Sequence, residues 1–280
     1  MRAPSLPGLF VSHWHVSWSL IAIGALYGAL YLWAAITTGR WPVRRTFAFL
    51  AGIACVLVAL QSGTDTYDDR LLSVHMVQHM LLLLVAPLLF LAGRPALLSL
   101  RALPPGRSRR GLARALQRAA HLVGPVPCLA AFSAVVVLTH VPGFYSATLR
   151  SSALHGFEHV VYLCAGLLLW APLLDVDPSP RRRLGGFGRL IYMLGAMPAM
   201  ALVGAYLNRH PSLVYPAYGP PAHALGISAI ADQQQAGAIM WVAGNLIMIA
   251  VGLWAALAAM VAEERRQQSR EARAIPGASS

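Results

Sequence analysis

Apolar residues dominate this chain in long runs, each broken by a short polar stretch. The clearest run, residues 71–95, reads LLSVHMVQHMLLLLVAPLLFLAGRP. Similar runs cover about 18–37, 46–61, 71–92, 123–139, 152–174, 187–207 and 232–261. Stretches near or above ~18 apolar residues are long enough to cross a bilayer as helices. The pattern predicts an all-α, polytopic integral membrane protein with seven transmembrane helices. Residues 1–262 form one seven-helix domain on this reading, and 263–280 a flexible cytoplasmic tail. Pro87 predicts a kink in the third span, and Gly93-Arg94-Pro95 a stop.

Composition supports the pattern. Hydrophobic residues make up 57% of the chain and charged residues 11%, against about 25% charged in soluble domains. The net charge of +12 does not indicate nucleic acid, because the basic residues alternate between loops. All 22 are arginine. Eighteen fall after spans one, three and five or in the tail, and four at the other side. By the positive-inside rule the N-terminus is outside and the C-terminus cytoplasmic. The Arg-rich segment 94–118 then lies along the cytoplasmic leaflet, with an amphipathic helix expected over about 107–120. The first residues lack the architecture of a cleavable signal peptide. Cys55, Cys128 and Cys164 fall inside separate spans and predict packing roles, with no disulfide framework.

Against this topology the histidines are one-sided. Nine of ten fall at the outer ends or in outer loops; His121 alone is cytoplasmic. His75 and His79 open the third span, and His155 and His159 open the fifth. Residues four apart share a helix face, so each span presents a pair of imidazoles at matched depth. His140 closes the intervening span. Polar side chains within a membrane are costly and mark functional sites.

Imidazole is the commonest protein metal ligand. His with Met suits copper, and His with carboxylate suits zinc or iron. Glu158 lies beside His159 and one turn after His155, placed either to orient an imidazole or to ligate. Asp232, in ADQQQAGAIMW, joins Gln235 in a helix-capping box or belongs to the metal site. Met76, Met80 and Met240 read as packing. Trp170 and Trp241 read as interfacial anchors or packing. Gly237 allows close helix approach. His13, His15, His210 and His223 sit in outer segments with weaker claims as ligands. Four functions fit: transient copper handling, a zinc peptidase using the HxxEH form of residues 155–159, a bis-His haem electron carrier or quinol site, and a metal-free assembly scaffold.

Four segments also carry a family likeness: SVHMVQHMLLLLVAPLLFLAGRP (73–95), THVPGFY (139–145), HGFEHVVYL with LLLWAP (155–172), and ADQQQAGAIMW (231–241). In these the chain resembles the seven-span CtaG-type cytochrome c oxidase assembly factors, associated with caa-type oxidases. The likeness covers most spans from the third onward. It implies a multi-pass protein of the bacterial cell (inner) membrane, partnered by cytochrome c oxidase subunits, that helps form a copper centre and is not an enzyme. It carries His75, His79, His140, His155 and His159 forward as metal ligands, with Asp232 and Glu158 behind them. The implied cargo is a copper ion, with zinc as the alternative. A single-span copper chaperone shares the name, but its cysteine chemistry does not transfer.

Overall fold

The structure, a computed structural model, describes residues 6–11, 13–122, 124–174 and 184–274. Among these residues every regular element is helical. A short α1 (Leu6–Val11) is followed by α2 (Trp18–Thr38), α3 (Val43–Gln61) and one turn of α4 (Gly63–Thr66). The central element begins as α5 (Leu72–Met80), widens into a π-helical turn (Leu81–Val85) and continues as α6 (Ala86–Ala92). Next come α7 (Pro95–Ala102), α8 (Arg107–Leu122), α9 (Pro125–Thr139), α10 (Pro142–Thr148) and α11 (Ser152–Trp170). The chain ends with α12 (Gly186–Arg209), α13 (Gly219–Ala224), α14 (Ala229–Ala238), a second π-helical turn (Ile239–Gly244) and α15 (Asn245–Ala274).

Six of these helices, some in continuous series, are long and apolar enough to cross a membrane. A seventh crossing exists only if α9 and α10 count as one span, and that pair bends by 76°. The sharp bend falls at His140 and Val141, just before Pro142, whose ring disfavours helical geometry in the preceding residue. The chain is thus a multi-pass membrane protein of six or seven spans. On α2, Trp18, Ile23, Leu30, Trp33 and Ile36 are more than half exposed; lipid, not water, is the solvent that tolerates such a face.

The α5–α6 element sits at the centre, packed on α3, α11 and α14. The sequence predicts a kink at Pro87, and the structure answers with the π-helical turn just before it. Pro87 has no N–H for the carbonyl of Leu83, and its ring would crowd that oxygen. The wider turn redirects carbonyls outward. Trp170 Nε1 donates to Leu84 O at 2.9 Å, and Cys55 Sγ lies 3.8 Å from Leu81 O. Gly166 of α11 lies against the same turn: a Cβ there would stand 2.0 Å from Leu83 O and 2.6 Å from Pro87 Cγ. Close approach recurs between α12 and α14, where a Cβ on Gly237 would meet Gly204 O at 2.4 Å.

One sequence reading is narrowed and one changes. Of the two roles expected for Trp170, anchor or packing, the structure has packing: it is fully buried and bonds the central turn. Cys164 is exposed on the bundle's side, whereas Cys128 is buried and Cys55 half-buried. The expected stop is present: α6 ends at Ala92, and Arg94 takes a left-handed conformation (φ 50°, ψ 53°) before α7. α8 covers the expected amphipathic stretch. α15 runs to Ala274, and 275–280 lie outside the described residues.

Candidate metal centre

α5 and α11 stand side by side with their histidines facing. Ring centroids of His75 and His79 are 4.1 Å apart, and those of His155 and His159 are 4.3 Å apart. Between helices, His75 lies 5.1 Å from His155, and His79 lies 6.1 Å from His159. Four imidazoles thus form a rough rectangle, with Glu158 buried beside it. One ligating atom from each of His75, His79, His155 and Glu158 falls within 4.8 Å of the others. Asp68, His155 and His159 form a second such group, sharing His155. His75 and His79 are fully buried, while His155 and His159 are half-buried. The second group is therefore the more accessible one.

Hydrogen bonds select the tautomers. Tyr218 Oη donates its one proton to Asp68 O at 2.9 Å. It must then accept from His75 Nδ1, 3.1 Å away, which leaves the lone pair of His75 on Nε2. Tyr145 Oη completes the set, donating to Tyr218 Oη at 3.1 Å. The Gln78 amide nitrogen donates to Ala59 O and Asp65 Oδ1. Its oxygen therefore faces His159 Nε2, at 3.1 Å, so that nitrogen carries the proton and Nδ1 the lone pair. Partners of this kind fix metal-ligating imidazoles and raise their basicity.

The atoms aimed inward have no such partners. His75 Nε2, both nitrogens of His79, His155 Nε2 and both carboxylate oxygens of Glu158 are buried without a hydrogen bond. Leaving one buried polar atom unpaired costs about 1–3 kcal/mol, and native interiors leave few. Six in one place, drawn from four residues, fit a cation that takes one lone pair from each imidazole and from the carboxylate. The donor set is mostly neutral nitrogen with one carboxylate, which suits copper or zinc better than calcium or magnesium.

Two sequence candidates stand apart from this group. His140 Nδ1 donates to Val136 O at 2.7 Å, leaving Nε2 buried and unpartnered; Tyr145 lies between it and His75. Asp232 caps a helix, but not its own. Ser228 caps α14, while Asp232 accepts from Leu72 N at 2.6 Å and from the Ser73 hydroxyl. Those groups open α5, whose first amides have no acceptor within the helix. Asp232 thereby fixes the end that carries His75. Met76, Met80 and Met240 are buried in the apolar core. His13, His15 and His223 are exposed and His210 is half-buried; His15 Nε2 reaches Asp65 at 3.4 Å.

Asp68, Gln78, Tyr145 and Tyr218 were absent from the sequence reading. Asp68 had a signal: three of ten acidic residues crowd into 65–69, just before the first His pair. Its carboxyl is pushed up to about 8, chiefly by burial and then by Asp65 and Asp69. Burial likewise holds the Tyr218 phenol well above its usual range, so it remains a proton donor.

Residues 26–262 match the family described as cytochrome c oxidase caa3 assembly factor. An uncharacterized protein of Mycobacterium bovis is 30% identical over 263 residues, covering 91% of this chain and 39% of that protein. One from Mycobacterium leprae is 29% identical over 262 residues, covering 90% and 39%. The chain therefore spans about two fifths of the length of these curated relatives. No solved structure matches. With the match reaching every span and leaving out only the start of the first and the end of the last, this chain belongs to the cytochrome c oxidase caa3 assembly factor family.

Proposed function

We propose that the protein assists assembly of a cytochrome c oxidase by binding a copper ion at the outer membrane face and passing it to an oxidase subunit. The observation that carries this reading is the convergence of unpartnered, buried donor atoms from His75, His79, His155 and Glu158. The arginine distribution supports the orientation, N-terminus outside and C-terminus cytoplasmic. Copper here is cargo, so no substrate bond is broken.

His155 belongs to both ligand groups, which supports a two-station path. Asp68, His155 and His159 receive the ion near the surface; His75, His79 and Glu158 hold it deeper, with His155 common to both. Release reverses the path by ligand exchange. The accessory residues match this role: Tyr218 and Gln78 orient the rings, and Asp232 holds the helix that presents them.

The test is metal content by mass spectrometry of protein purified from copper-supplied cells, beside a His75→Ala/His79→Ala variant of equal folding. Wild type should carry about one copper per chain and the variant at least tenfold less. Zinc in place of copper would overturn the cargo assignment. Equal metal in both proteins would overturn the site. A Glu158→Gln variant separates the zinc-peptidase alternative, because it would abolish proteolysis but only weaken copper retention.

A further inference from the structure

A second site lies at the end of the bundle away from the histidines. Arg44 and Arg45 occupy the first turn of α3, and Arg94 the left-handed joint between α6 and α7. All three line one cleft of about 600 Å³. Trp41 adds to the crowding of charge, with the Arg45 guanidinium 4.8 Å and that of Arg101 5.7 Å from its ring. Among the described residues, no carboxylate pairs with any of these four arginines. Arg94 Nη2 donates to Leu174 O at 3.4 Å. Two arginines in the first turn of α3, with no acidic residue there, also oppose the helix dipole. Both effects are relieved by an anion.

The remainder of the cleft identifies the kind of anion. Its walls include Leu88, Val251 and Trp254, all within apolar helices of membrane-spanning character. Leu88 stands four residues before α6 ends at Ala92, about 6 Å of helix rise deeper. Trp254 is 62% exposed, an amphipathic ring suited to the headgroup level. A free phosphate uses only the arginines. A phospholipid uses both parts, its phosphate on the guanidinium groups and its acyl chains along the apolar wall. Guanidinium forks match phosphate oxygens in geometry, and basic pockets between spans take anionic headgroups. We infer that the cleft formed by Arg44, Arg45 and Arg94 is a binding site for an anionic phospholipid, independent of the metal centre.

The test is native mass spectrometry and thermal unfolding of the full chain in uncharged detergent. The probes are phosphatidylglycerol, phosphatidylcholine and inorganic phosphate. Phosphatidylglycerol should stay bound and raise the unfolding midpoint by several degrees; the other two should do neither. Arg44→Gln/Arg45→Gln should weaken phosphatidylglycerol binding at least tenfold. Arg94→Gly provides a variant that folds readily, since glycine suits φ 50°, and it should lose lipid retention as well. Equal stabilisation by phosphate would make this a free-anion site and overturn the proposal. Equal retention of phosphatidylcholine would reduce it to an apolar groove and also overturn it. So would an equal loss in Arg109→Gln/Arg110→Gln, on exposed α8, which would show diffuse surface charge.

Discussion

The two ends of this bundle both carry polar side chains that the described residues leave incompletely paired, yet they do so in opposite ways. At the histidine end the groups are imidazoles and one carboxyl, buried, with lone pairs aimed at each other. At the arginine end they are permanently charged and lie half-buried or exposed around an open cleft. Burial explains the difference. An imidazole can enter a dry interior neutral, whereas a guanidinium cannot shed its charge and needs acceptors, water or headgroups around it. One end is suited to a soft cation that replaces protons or water, and the other to an anion that cancels charge.

The comparison is most exposed to failure where the central helix meets α11, because that contact sets the facing of both His pairs. Gly166→Ala should cost more than about 3 kcal/mol of stability, since its Cβ would collide with the Leu83 carbonyl. Gly156→Ala on the same helix has open space around it and should stabilise by about 0.5–1 kcal/mol. Denaturation midpoints in detergent would check both; equal effects would mean that the close packing is unimportant.

A smaller effect separates support from ligation. Asp232→Asn removes the charged acceptor at the start of α5 and should cost about 1–2 kcal/mol, with copper content per folded chain unchanged. Loss of copper at full stability would instead make Asp232 a ligand. Smaller again is Tyr218→Phe, which frees the His75 tautomer. It should weaken copper affinity about tenfold in a competition titration with a chromophoric chelator, while anionic-lipid retention at the other end is untouched. A change at both ends would undo their independence.

Much of this was readable in the chain itself. The i, i+4 spacing of His75 with His79, and of His155 with His159, by itself puts each pair on one helix face. The alternation of arginines marked the opposite end. Gly237 was read as a close-approach residue and is one. Asp232 shows the limit: it has the local form of a cap for its own helix, yet it caps one that begins 160 residues earlier. For Trp170 the sequence left anchor and packing open, and the widened turn before Pro87 decides for packing by supplying a buried acceptor.

By itself, then, the sequence determined the helical class, the apolar spans, the paired imidazoles and the sidedness of charge. All of these are repeating or counted features that a helix expresses locally. Only the tertiary structure decided which nitrogens remain free, because Tyr218 and Gln78 reach His75 and His159 across 143 and 81 residues of chain. It also brought Asp68 beside His155 and placed Arg94 with Arg44 and Arg45. Hydrogen-bond partners so far apart in sequence leave no periodic trace, and packing alone brings them within reach.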